Sequence, residues 1–140
     1  MDALKLIKKS QKKSLKIVIN STEDILRSII SDITKFKDSL PTNFNQVVPT
    51  GYFYGFFFFT YKSILEEEKA LQKQIRKSLK SIFGRKQGNL MYDYAILKKD
   101  DNFFKYGLVL SEKDLKRLEN YEDASNLISY YSGKIKEPTD

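Results

Sequence analysis

The chain has 140 residues, 41% hydrophobic and 14% aromatic, with a formal net charge of +7 and a pI near 9.4; this is a globular composition sized for one domain. It contains no cysteine and no histidine, which removes disulfides, thiolate nucleophiles, Cys- or His-based metal sites and the commonest general base. A hydrolase would have to be assembled from carboxylates, Lys, Tyr and Ser alone, so the expectation is a protein that is not an enzyme.

The N-terminal stretch breaks its apolar residues with Lys5, Lys8 and Lys9, where a secretory signal would run unbroken. The most apolar stretch covers residues 51–61, 11 positions, against about 20 for a membrane-crossing helix. A soluble, cytoplasmic protein is the expectation. The charge is concentrated. Residues 1–20 hold six lysines against Asp2, a balance of +5, and residues 69–99 hold nine basic residues against Asp93, a balance of +8. With +7 overall, the rest of the chain is net −6, so particular faces invite a polyanion.

Residues 2–19 read as a two-faced helix. At 100° per residue Lys5, Lys8, Lys9, Lys12, Lys13 and Lys16 fall within an arc of about 140°, opposite Leu4, Ile7, Leu15 and Val18. The apolar stripe continues through Thr22, Ile25, Ile29, Ile33, Phe36 and Leu40, which predicts one long helix to about residue 39. A β-branched run at 15–20 and the cap-like Ser21, Thr22, Glu23 and Asp24 allow a break or strand near residue 20 instead. Residues 41–51, with two prolines and two asparagines, read as a loop.

Residues 51–61 place eight aromatics in eleven positions. No helical face there is polar, so the segment needs burial on several sides, and Tyr52 and Tyr54 are the rings expected to reach a surface. Propensity alone allows a strand. The segment runs without a breaker into a helical pattern in which Ile64, Leu71, Ile75, Leu79 and Ile82 share a face, so one helix over 52–83, stopped by Gly84, is the reading.

Residues 90–97 and 103–110 are aromatic and aliphatic runs flanking the polar Lys98, Lys99, Asp100, Asp101 and Asn102. They read as a short β-hairpin, with short helices as the alternative. Ser111, Glu112, Lys113 and Asp114 read as the cap and first turn of a helix carrying Leu115 and Leu118. A kink near Asn120 lets Tyr121, Ala124, Leu127, Ile128 and Tyr131 bury; Gly133 ends the helix and residues 134–140 fray. The fold class is mainly α, a single compact bundle of long antiparallel helices with one short hairpin near 90–110.

Two basic faces are the candidate binding residues. On the first helix they are Lys8, Lys9, Lys12, Lys13 and Lys16, with almost no interspersed acid to make them an ordinary solvated face. On the second, Lys69, Lys73, Arg76, Lys77 and Lys80 lie opposite Ile75 and Leu79. Arg85 and Lys86 follow between Gly84 and Gly88, where flexible backbone can approach phosphates. Glu66, Glu67 and Glu68 can pair with nearby lysines, and cations at a helix end suit its dipole, but the charge of this segment exceeds both needs. The aromatic block reads as core, because residues 56–59 cannot all be exposed; base stacking is its other use. The carboxylates at 66–68 and 100–101 do not converge, so no metal and no cofactor is expected. No phosphate-binding glycine loop, nucleophile elbow or dinucleotide fingerprint is present.

In layout the chain resembles the small subunits of multi-subunit CRISPR effector complexes, which are compact, basic, cysteine-poor helical proteins without catalytic residues. It is also similar to the helical C-terminal domain of some CRISPR large subunits. There an aromatic Gly-Tyr/Phe-rich helix, here residues 51–61, leads into a basic amphipathic one, here 62–83. The likeness is of architecture and composition and transfers no individual residue. It implies a protein that lines a ribonucleoprotein and contacts nucleic-acid backbone without reading sequence. The expected function is therefore non-catalytic binding of RNA or DNA backbone within an assembly of protein subunits, with no small-molecule substrate and no membrane. The alternative is a helical adaptor, or a phage- or host-encoded inhibitor, that meets an acidic protein surface. A third reading, an anionic membrane surface met by the first helix, is weakened by an apolar face that lacks Trp and is needed for the core.

Overall fold

A computed structural model describes residues 3–36 and 46–132, with side-chain surroundings for 12–35 and 46–132. These residues form six helices and no strand: α1 (Ala3–Phe36), α2 (Val47–Tyr61), α3 (Glu68–Phe83), α4 (Arg85–Lys98), α5 (Asn102–Glu119) and α6 (Asn126–Tyr131). No helix among them is long and apolar enough to cross a membrane. The expected end of the first helix near residue 39, the first half of the 41–51 loop, the Gly133 stop and the tail lie outside the described residues.

α1 runs unbroken through 15–20. Thr22 donates its hydroxyl to the Val18 carbonyl (2.7 Å) and Thr34 to that of Ile30 (2.8 Å). The hydroxyls are thus satisfied inside the helix and do not compete with it. The buried seam is Thr22, Leu26, Ile29 and Ile33, at the alternating four- and three-residue spacing of a helix seated on a flat neighbour. Leu26 takes the inner place that the pattern assigned to Ile25, which is 37% exposed. Among the described side chains core contact begins at Val18 and Ile19; between residues 12 and 17 only Leu15 is even half-buried.

The expected helix over 52–83 is two helices. α2 begins earlier, at Val47, because Pro49 falls in its first turn, where a missing N–H costs nothing. It ends at Tyr61, where Leu65 N–H closes back on the Tyr61 carbonyl (2.8 Å), and α3 starts at Glu68, an acid in a first turn that favours acids. A helix apolar on every side needs cover on every side, and a chain that folds back supplies it. Tyr52, Phe53, Phe56, Phe57 and Tyr61 are buried; Tyr54, Phe58 and Phe59 are half-buried. Tyr52, expected near a surface, is fully buried, because its hydroxyl donates to the Asp114 carboxylate (2.6 Å).

The expected hairpin at 90–110 is α4 and α5. The polar residues between the two runs do form a turn, but Asp101 is a helix N-cap, accepting from the Phe103 N–H (2.8 Å). Ser111 is not a cap: it is buried inside α5 and donates to the Leu108 carbonyl (2.7 Å).

α2 lies at the centre, touching α1, α3, α4 and α5. Its tightest neighbour is α5. A Cβ on Gly51 would strike the Phe104 backbone, one on Gly107 would strike the backbones of Val48 and Tyr52, and one on Gly55 would strike Ser111 and Leu108. Small residues four apart on both helices let the backbones meet. Since Gly55 faces a point further along α5 than Gly51 does, these two helices run in the same direction, unlike the antiparallel pairing expected throughout. α3 and α4 are antiparallel, joined through Gly84 alone at φ 89°, a conformation that favours glycine.

Candidate nucleic-acid interface

α3 sorts its residues by charge because its inner face is taken by Leu71, Ile75, Ser78 and Leu79. Lys69, Lys73 and Lys77 are exposed and Lys80 is half-buried, four residues apart and so about 6 Å apart along the axis for the first three. The ion pairs among the described residues join Arg27 to Glu23 and Asp24, Arg76 to Asp93, and Arg117 to Glu122. None includes a lysine. Glu66, Glu67 and Glu68, placed by sequence to neutralise nearby lysines, pair with none of them; Glu68 accepts instead from the Gln72 amide (3.0 Å).

Arg85 and Lys86 are exposed, but not on the flexible Gly84–Gly88 turn that sequence implied. They form the first turn of α4, and Gly88 is buried in that helix against the backbone of Leu79 and Lys80. Two cations at a helix N-terminus stand where the macrodipole favours acids. With Lys80 just across Gly84, they form a second concentration of unneutralised positive charge.

Arg76 belongs elsewhere. Its guanidinium pairs with Asp93 (3.2 Å), donates to Asn89 (3.3 Å) and lies 4.4 Å over the Tyr92 ring. It ties α3 to α4 and is no free member of the ridge.

On α1, Lys12, Lys13 and Lys16 are exposed; the side chains of Lys8 and Lys9 lie outside the described ones. Seven and eleven residues on from Lys16, so on the same helix face, Glu23 accepts from Ser78 (2.9 Å) and Ser81 (2.6 Å), and Arg27 donates to Ser81 (2.8 Å). The side of α1 that carries Lys16 is therefore the side that, about two to three turns on, meets α3 through Glu23 and Arg27.

Beside the ridge lies a cavity of about 480 Å³ that sequence reading missed, lined by Tyr54, Phe58, Gln72, Arg76, Tyr92 and Asp93, with Glu68 and Lys99 at its edge. Gln72 holds it together: its Oε1 accepts from Tyr92 (2.8 Å) and its Nε2 donates to Tyr54 (2.9 Å). Burial pushes both phenols above the ordinary tyrosine range, so they stay neutral hydrogen-bonding groups at physiological pH. No cluster of three metal-ligating side chains exists among the described residues.

Comparison with protein-family models, with curated proteins and with solved structures finds no match to this chain.

Proposed function

We propose that the chain is a non-catalytic subunit that binds nucleic-acid backbone without reading sequence, within a larger ribonucleoprotein. The observation that carries this is the α3 ridge. Among the described residues Lys69, Lys73, Lys77 and Lys80 join no ion pair, although Glu66, Glu67 and Glu68 lie within the adjoining turns; the ion pairs there are made by arginines. A surface evolved only for solubility mixes its signs; this one separates them. Arg85, Lys86 and the α1 lysines extend the positive field. Leu90 and Leu97, 55% and 77% exposed on α4, offer apolar area to neighbouring protein subunits. A CRISPR effector complex, whose small subunit the chain resembles in layout, is the assembly this reading favours.

The test is a salt series on duplex and single-stranded nucleic acid. Changing Lys69, Lys73, Lys77 and Lys80 to Gln leaves Ile75 and Leu79 untouched, so the fold should stand. The slope of log affinity against log salt should flatten by roughly three to four units on duplex, if each lysine neutralises one phosphate. Changing Lys8, Lys9, Lys12, Lys13 and Lys16 tests whether α1 shares the footprint. Both variants binding as the parent does would make the lysines a solvated surface and leave the adaptor reading in place.

A further inference from the structure

The cavity between α2, α3 and α4 balances its charges where the ridge beside it concentrates positive ones. Glu68, Gln72 and Arg76 form one stripe along α3; Lys69, Lys73 and Lys77, each one residue on, form the next stripe round the helix. Glu68 and Asp93 line the cavity together with Arg76 and Lys99, so its charges balance, while the lysines of the neighbouring stripe are exposed beside it. A phosphate is favoured on the lysine stripe over the charge-balanced cavity. The cavity walls are flat and π-rich. Tyr54 and Phe58 are stacked with 13° between their planes, and the Arg76 guanidinium lies over Tyr92; both are surfaces on which bases stack. Among the polar groups that line it, the Glu68 and Asp93 carboxylates accept hydrogen bonds, as an exocyclic amino group requires.

We propose that this cavity receives one unpaired, amino-bearing nucleobase from a single strand whose phosphates run along Lys69, Lys73 and Lys77. The assignment rests on the backbone-binding reading and adds a base-dependent component to it. The strand crosses the lip with its sugar at the ridge and its base turned inward, between the Tyr54–Phe58 pair and the Arg76–Tyr92 pair. Cytosine, adenine and guanine carry the amino group that the two carboxylates can accept from; uracil and thymine present carbonyls there, which the carboxylates repel.

The experiment compares single strands of equal length, oligo(C), oligo(U) and an abasic strand with the same number of phosphates, by fluorescence anisotropy over a salt series. The parent should bind oligo(C) roughly 5- to 150-fold more tightly than the abasic strand, the range for one stacked base. Oligo(U) should fall between them, and the salt slope should be common to all three. Phe58→Leu keeps apolar volume but removes the stacking face, and Gln72→Leu removes the amide between the phenols. Each should abolish most of the oligo(C) advantage while abasic binding and salt slope stay at the parent's values. The four-lysine variant should do the reverse. Equal parent affinity for oligo(C) and the abasic strand overturns the base cavity and leaves the ridge standing. Binding to neither strand overturns the backbone reading and the cavity with it. Competition by free cytidine monophosphate at levels that displace the strand would reassign the cavity to a free nucleotide.

Discussion

Tyr121 is fully exposed and has φ 59°, a left-handed backbone that a tyrosine rarely adopts. It does so because it closes α5: Tyr121 N–H bonds to the Leu118 carbonyl (3.1 Å) and Glu122 N–H to that of Arg117 (2.8 Å). This is the double bond of a helix terminus that most often carries glycine at the turning residue. Tyr121→Gly loses no packing and relieves the turn, so the thermal midpoint should rise by roughly 3–5 °C; a fall would show that the side chain holds something down. Asp114 is the opposite case. It is fully buried, joins no ion pair among the described residues, and accepts from Tyr52 (2.6 Å) and from the Asn126 backbone (3.1 Å) and side chain (2.6 Å), pinning α6 and α2 to α5. Burial and the adjoining Asp114 charge push the Tyr52 phenol well up, so it serves as a permanent donor. Asp114→Ala strands the buried Tyr52 hydroxyl and two half-buried Asn126 donors and should cost about 3 kcal/mol in urea unfolding, whereas Tyr52→Phe should cost about 1–2 kcal/mol.

Between helices, the glycines of α2 and α5 set the spacing. A methyl at Gly107 meets backbone on Val48 and Tyr52, which cannot yield without moving a helix; one at Gly55 meets the Ser111 and Leu108 side chains first. Gly107→Ala should therefore destabilise by about 3 kcal/mol or more, and Gly55→Ala by less, in the same denaturant assay. This contact was written in the sequence as Gly51 and Gly55, and as Gly107 and Ser111, each pair four apart, and it went unread because Tyr, Phe and Val at 90–110 look like strand. Those propensities describe a pleated, half-buried surface and yield to burial. The helical period was nonetheless there, in Met91, Tyr92 and Ala95 and in Phe104, Gly107, Leu110 and Ser111. α1 was legible because it has one neighbouring surface and hence one clean stripe. The break after Tyr61 was not, since no glycine or proline marks it; only the acids at 66–68 announce a helix start.

Taken together, the chain separates its charge by folding, and sequence showed half of that. The ridge is local to α3 and follows from spacing alone. The adjoining cavity draws Tyr54 and Phe58 from α2 and Tyr92 and Asp93 from α4, positions that only the packing unites. Arg76, counted by sequence with the lysines, is diverted by Asp93 and Tyr92 for the same reason. Between residues 12 and 17 α1 has little tertiary cover, and a helix without packing is marginal in water. Backbone amides at 12–16 should exchange with solvent orders of magnitude faster than those at 26–33 in a hydrogen-exchange experiment. Added nucleic acid should slow them if this face joins the footprint.

The parallel contact of α2 with α5 also fixes a sequence of events in time. Gly55 and Ser111 lie 56 residues apart, and the α3–α4 hairpin between them is translated first. At about 5–20 residues per second a ribosome needs roughly 3–11 s to deliver the partner surface after the aromatic helix has been made. Through that interval Phe56 and Phe57 have α1, already made, and the emerging α3–α4 hairpin for shelter. That hairpin, closed by short-range contacts and a single glycine, is the part of the remaining cover able to form before α5 arrives, so its speed of closure bears on how much nascent chain reaches the folded state.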